Sequence, residues 1–474
     1  MVRWLVRLAV LLVVLAVLAV LAGAVFVVSD REAAPTLRIE QPDRVVGQTG
    51  TLAVSAEAPG ARFKTLTIAL EQNGQTIPLF SLGSPDNART VTVTPAGPDR
   101  LTIARPISKQ SVPELRSGTA RIVVSATRPS FLNLRTLSTT TSKEIQIMLE
   151  PPRLAVVSMH HYVNHGGSEM VVYRATPAGV RSGVRVGDVE YPGFPVSAPG
   201  TAGADPSVYA AFFGLLYDQD LHAPIAAFAR DEAGNEVTAR FIDNVFEKPQ
   251  KQSRIELDDR FVGRVVPEIL EHAPELKLAP PSPGADMMPA FLRVNGELRR
   301  INAGEIAALA PKTSASKLWD GPFVPLGNSK VEAAFADHRT YSYKGKDVDR
   351  QVHLGFDLAV TSHVPILAAN AGTVLRASWL GIYGNAVLID HGMGVQSLYG
   401  HLSSFDVKVG DTVAKSQTIG RSGMTGLAGG DHLHFTMLVN GHMVNPVEWW
   451  DPHWVEDHVQ RKLVEAGGRP AATR

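Results

Sequence analysis

The stretch "GGDHLHFTM", residues 429–437, sets His432 and His434 on either side of Leu433 in an otherwise apolar run. Successive side chains of a strand point to opposite faces, so positions i and i+2 share one. Read as a strand, this stretch projects both imidazoles into one cleft and sends Leu433 and Phe435 into the core behind it. Two imidazoles on one face suggest a metal site, but a His-x-His pair is a weak signal alone, and the rest of the chain has to supply its partners.

The chain has 474 residues, enough for two to four domains at roughly 100–200 residues each. Lysine plus arginine and aspartate plus glutamate balance at 46 each, so no charged field points to nucleic acid or to a cationic partner. Cysteine is absent, which excludes disulfides, cysteine-ligated zinc, iron–sulfur clusters, a thiol nucleophile and a lipidated cysteine. The first thirty residues stand apart. Arg3 and Arg7 precede an uncharged run from Leu8 to Val28, long enough to cross a bilayer as a helix, which takes about 20 apolar residues. The arginines favour a cytoplasmic N-terminus with everything after Ser29 on the far side. Ala22-Gly23-Ala24 resembles a signal-peptide cleavage site, but the apolar run continues through Val25, Phe26, Val27 and Val28, so we read residues 1–30 as an uncleaved anchor.

Residues 36–150 alternate apolar and polar positions in "TLRIEQP", "TGTLAVSAEA", "KTLTIALEQNG", "TVTVTPA" and "ARIVVSATR", with Gly, Pro, Asn and Asp between them. That pattern predicts an immunoglobulin-like β-sandwich. Residues 151–250 continue in the same style and predict a second sandwich-like domain. The histidines of "MHHYVNHGG" (His160, His161, His165) lack a carboxylate at ligand spacing and read as a surface loop. In 254–312, Leu257, Phe261, Val265 and Ile269 recur every four residues, predicting a helix with one apolar face. This helical segment is either an adaptor packed on the next domain or an arm over its cleft. From 315 to 452 short strands with Gly-rich turns return, and 453–474 read as a tail, disordered from Gly467. The expected fold is therefore mainly β, with one transmembrane helix and a helical insert.

Three elements of the 315–452 region fall within about eighty residues: "HLGFDLAV" with His353 and Asp357, "SLYGHLSS" with His401, and "GGDHLHFTM" with His432 and His434. Catalytic zinc typically takes three histidine or carboxylate ligands and keeps one position open. Five candidates leave two histidines for proton transfer and charge stabilisation. His391 reads as part of an Asp-His-Gly turn, and Trp379 as a candidate groove residue.

These elements, with "YGNAVLIDHGMGVQSLYGHLS" (383–403) and "NGHMVNP" (440–446), resemble in order and spacing the lysostaphin/LytM-type zinc metalloendopeptidases, which cleave peptide bonds in the cross-links or stems of bacterial peptidoglycan. The resemblance covers under a third of the chain. It implies that His353, Asp357 and His434 ligate one Zn2+ ion, and that His432 and His401 flank the metal-bound water as general base and oxyanion stabiliser. Asn385 and Tyr399 are expected to support the site or line the groove, Tyr399 because it lies two residues before His401. One departure bears on substrate preference: the family commonly has a Ser/Thr-Gly-Pro run before the histidine pair, where this chain has Ala428-Gly429-Gly430-Asp431.

The resemblance implies a membrane-anchored enzyme working on peptidoglycan outside the cytoplasm, on the periplasmic or wall side. Its β domains would act as a stalk, its further partners would be envelope or division proteins, and it would have no nucleic-acid partner. The alternative is a non-catalytic scaffold or activator of another cell-wall hydrolase, against which the five intact site positions speak.

Overall fold

A computed structural model describes residues 2–30, 32–86, 90–97, 99–130, 133, 135–196, 205–278 and 284–466. The tail from Gly467 lies outside the described residues. The chain divides into two compact units, 1–151 with 230–236 and 152–229 with 237–474. Among the described residues one helix, Val2–Asp30, contains a window, Val6–Ala24, long and apolar enough to cross a membrane, a property shared by anchors and signal sequences.

The first unit owes its form to period-two alternation. Thr51–Glu57 buries Leu52, Val54 and Ala56 and turns the residues between them outward. It lies in a four-stranded sheet with Thr36–Gln41, Arg100–Pro106 and Thr92–Pro95. A five-stranded sheet contributes Leu66, Ile68, Ile122 and Val124 to the same core, so the two sheets enclose one apolar layer.

The second unit begins with a β region in which Ser168–Thr176 pairs with Val208–Gly214. Both strands are buried on nearly every residue, so each is covered on both faces. His161, expected on a surface loop, is buried: its Nε2 lies 2.8 Å from Ser158 Oγ and its ring meets Phe241 edge-on. Burial pushes its pKa down to about 4, so the ring is neutral.

This β region shares its core with the region that carries the histidine pair. Phe212 packs against Trp319 and Trp449, and Trp449 against Trp454. Residues 453–465, read from sequence as part of the tail, are helical and bury Trp454, Val455, Val459 and Lys462. Polar groups are buried along with these rings. Glu169 accepts from Lys462 Nζ at 2.9 Å and faces His458 Nδ1 at 2.7 Å. Glu448 accepts from Asn164 Nδ2 at 2.7 Å and from the Ser168 N–H at 2.7 Å and hydroxyl at 3.1 Å.

The four-residue spacing from Leu257 predicts a helix that the structure starts later. Gln252–Leu257 is a strand, parallel to Asp337–Tyr343, and the helix runs Asp259–Glu271. Asp258 marks the change, its side chain accepting from the Phe261 N–H at 2.7 Å as an N-cap. Val262, Val265, Val266 and Ile269 enter a second apolar cluster of this unit together with Phe291, Val294, Tyr341, Ile382, Leu398 and Leu438. The helical segment and the site region thus bury a common core.

Two predictions follow from this packing. Residues 152–474 should fold and melt cooperatively by circular dichroism, whereas 315–474, stripped of the 252–257 strand and half of two cores, should give no cooperative melt. The second concerns pH. Burial pushes the Glu448 carboxyl up to about 7 from an ordinary 4.5, against the hydrogen bonds it accepts. The folded chain then holds this proton longer than the unfolded chain does. The group's contribution is fully present below pH 4.5 and is lost as pH rises to 7, by about 3 kcal/mol. Glu448→Gln should flatten that part of the stability profile, read from urea midpoints between pH 4 and 8.

Candidate metal centre

Strand register brings the site residues together. His432–Val439 runs between Phe356–Ala359 and Val395–Leu402 in an antiparallel sheet. The pairing sets His434 opposite Asp357 on one side and opposite Gly400 on the other. Leu433 and Phe435 alternate away into the core, as period two requires. His353 ends the strand Lys346–His353, whose partner Asp337–Tyr343 also pairs with Gln252–Leu257. Gly355 lets the chain pass the site: a Cβ there would lie 2.6 Å from Cε1 and Nε2 of His434.

His353 Nε2, Asp357 Oδ1 and His434 Nδ1 form a nearly equilateral triangle with edges of 2.9, 3.0 and 3.1 Å. Two further rings flank it. His432 Nε2 lies 3.5 Å from Asp357 Oδ1, and the His401 and His432 centroids are 4.8 Å apart. Backbone carbonyls fix three of the four tautomers. His353 Nδ1 donates to Ala334 O at 3.1 Å, His401 Nδ1 to Thr425 O at 2.8 Å and His432 Nδ1 to Gly430 O at 2.8 Å. Each neutral ring therefore presents a bare Nε2 lone pair to the centre. His434 faces the opposite way, with Nδ1 in the triangle. All five groups line one cavity of about 410 Å3.

Converging lone pairs repel unless a cation or protons lie among them. Burial favours a neutral Asp357, but His353 beside it and the bonds from His353, His432 and His434 hold its carboxyl well below the ordinary range. Burial, reinforced by His432 and His434, pushes His401 well down. Burial likewise pushes His434 down to about 4. Burial is the largest influence on His432 and lowers it, but the hydrogen bond and charge of Asp357, with Gly430 O and Glu332, together outweigh this and its pKa is raised. The other carboxylate oxygen, Asp357 Oδ2, takes Arg339 Nη2 at 3.1 Å, and Arg339 Nε lies 3.6 Å from Asp337 Oδ2. Arg339 thereby leaves Oδ1 alone to face the histidines.

The donor set fits a metal ion. Two imidazole nitrogens and a carboxylate oxygen within 4.8 Å of one another form a three-point site. Edges near 3.0 Å approach the roughly 3.3 Å that ligands about 2.0–2.1 Å from a tetrahedral ion define.

Asn385 and Tyr399 are not brought to the cavity. Tyr399 is buried on the core side, its hydroxyl accepting from the Ala369 N–H at 2.7 Å and its ring against Phe435. His401 adopts a left-handed backbone, φ 64°, and the pairing shifts between Asn385 and Val387, so Tyr399 and His401 do not share a face despite their i, i+2 spacing. The Asn385 N–H donates to Thr425 Oγ1 at 3.0 Å, behind the carbonyl that orients His401. Trp379 stacks on His272, centroids 4.1 Å apart. His391 is not in a turn but buried in the strand Asn385–Gly392, between Ala371 O and Ser397 Oγ, each 2.7 Å away. Sequence reading missed Arg339, Gly355, Thr425 and Arg264, whose guanidinium donates to Ala428 O on the loop before His432. No local motif marks them, because each acts through chain brought near by folding.

The sheet thus converges buried imidazoles and one carboxylate on a single point that could hold a metal ion. Residues 351–446 match the family model of Peptidase family M23. An uncharacterized metalloprotease of Haemophilus influenzae is 36% identical over 164 residues, 32% of this chain and 34% of that protein. The DD-carboxypeptidase/endopeptidase Mpg of Neisseria meningitidis is 41% identical over 97 residues, 20% of this chain and 22% of its own. The peptidoglycan DD-endopeptidase ShyC of Vibrio cholerae is 37% identical over 122 residues, 26% of this chain and 28% of its own. The chain thus spans about a third or less of these relatives' lengths.

The Arg339 contact makes a checkable demand. Arg339→Met should weaken metal binding about 10- to 100-fold while the domain stays folded, measured by chelator competition alongside circular dichroism, and Arg339→Lys should recover part of the loss.

Proposed function

We propose that this protein is a zinc-dependent endopeptidase that hydrolyses peptide bonds of bacterial peptidoglycan. The observation that carries the reading is the triangle of His353 Nε2, Asp357 Oδ1 and His434 Nδ1 with the rings of His401 and His432 beside it. The match of residues 351–446 to Peptidase family M23 and the activities named for the Neisseria and Vibrio relatives support the substrate class. His353, Asp357 and His434 would hold the ion. Zinc bound there would act as a Lewis acid toward the scissile carbonyl and make an attacking water available near neutral pH.

The flanking histidines divide the proton work. His401, kept neutral by burial and by its histidine neighbours, is an acceptor at Nε2 and suits the general base. His432, whose proton affinity Asp357 raises against the effect of burial, is the donor that steadies charge developing on the carbonyl oxygen. The N-terminal helix would anchor the chain, with Arg3 and Arg7 on the cytoplasmic side and the catalytic domain beyond the membrane.

Residues 36–474 incubated with purified sacculi should release muropeptides, identified by mass spectrometry. Release should stop with a zinc chelator, return with added zinc, and be absent in His434→Ala. Release by wild type and His434→Ala alike would exclude a metal-dependent hydrolase. No release by wild type loaded with zinc would favour the scaffold or activator.

A further inference from the structure

The cavity that holds the histidines has a second cation in its wall. Arg299 comes from the helical segment and lines the same cavity as His353, Asp357 and His434. It lies close enough to act on Tyr383, whose burial raises its pKa and whose partial opposition comes from the Arg299 charge. The Tyr383 ring is 5.2 Å from that of His434.

Arg339, the other arginine of the cavity, is committed to Asp357 and Asp337. Among the described residues Arg299 has no carboxylate partner. Its Nε donates to Asn295 O at 3.1 Å and its Nη2 to Asn295 Oδ1 at 2.8 Å. Both acceptors are neutral. Asn295 is fully buried and is itself held by Nδ2 on Asp349 Oδ2 at 2.8 Å. The guanidinium is therefore fixed in direction along one edge and free along the other. Besides Asp357 the wall holds three acidic groups: Glu256 is engaged by the Ser342 hydroxyl, Asp258 by the helix it caps, and Glu332 lies near enough to His432 to raise its proton affinity. A fixed guanidinium without a carboxylate partner, facing a substrate cavity, is built to take a planar anion by two parallel hydrogen bonds.

We propose that Arg299 is a specificity-determining residue that binds a free carboxylate of the peptide substrate, so that the preferred substrate carries such a group near the bond cut. The inference rests on the hydrolase reading above and narrows its substrate class: a cross-bridge of uncharged residues would leave Arg299 unsatisfied.

The test compares native sacculi with sacculi whose carboxyl groups have been amidated with carbodiimide and ammonia, using residues 36–474 loaded with zinc. Wild type should lose on amidated sacculi about 10- to 100-fold in kcat/KM, mostly through KM. Arg299→Met should show that loss already on native sacculi and no further loss on amidated ones, and Arg299→Lys should recover part of it. Equal hydrolysis of both substrates by wild type overturns the role of Arg299 and leaves the hydrolase standing. Hydrolysis of neither overturns both. The wild-type comparison needs no variant to fold, and a melting curve of Arg299→Met guards the second arm.

Discussion

The organisation of the site follows from one electrostatic constraint. Asp357 is held ionised in the interior, and four histidines are turned toward it. Left to themselves, bare nitrogens and a carboxylate in a low-dielectric interior would separate or take up protons. Arg339 offsets the charge on one oxygen of Asp357 only. The convergence at Oδ1 is sustained because the rings cannot turn away: Ala334, Thr425 and Gly430 each hold an Nδ1 through a backbone carbonyl. A bound cation relieves the whole cluster at once, so the protein stores at this point a geometry that its ligand completes.

Because backbone carbonyls do the orienting, the surrounding chain carries as much of the chemistry as the ligands. Thr425 links three parts of the domain. Its carbonyl orients His401, its hydroxyl donates to Leu402 O at 2.9 Å, and that same oxygen accepts from the Asn385 N–H. Arg264, from the helix Asp259–Glu271, donates to Ala428 O on the same loop. The departure Ala428-Gly429-Gly430-Asp431 falls in this braced segment, and Gly430 supplies the carbonyl that fixes His432.

What the sequence made legible was whatever depends on short-range periodicity. His432 and His434 share a face because a strand alternates, and Leu433 and Phe435 fill the core for the same reason. Tyr399 was misplaced by that rule because His401 takes a left-handed backbone where the pairing shifts. The strand Gln252–Leu257 was hidden because Leu257 also fits a helical spacing, and the decision lay with the distant parallel strand Asp337–Tyr343. The buried His161 and His391 were invisible for a related reason: their partners, Ser158 and Ser397, are small hydroxyls that no metal-ligand spacing would flag. Arg339 shows the limit most plainly, since its role depends on a contact with Asp357 eighteen residues on, across two strands.

The helical segment was open to two readings, an adaptor or an arm over the cleft, and its packing makes it a wall. Ile255, Leu257 and Phe261 line the cavity while Val262, Val265 and Ile269 share a core with Ile382 and Leu398. Swinging this segment away would expose that core and unpair a full parallel strand. The rest of the unit is equally committed. Separating the 152–246 β region from the C-terminal helices would leave Glu169 and Lys462 without each other and Glu448 without Asn164 and Ser168. Breaking a buried charge pair such as Glu169–Lys462 costs on the order of 3–5 kcal/mol. Arg299 and the triangle of His353, Asp357 and His434 are therefore held at a fixed separation in one standing wall.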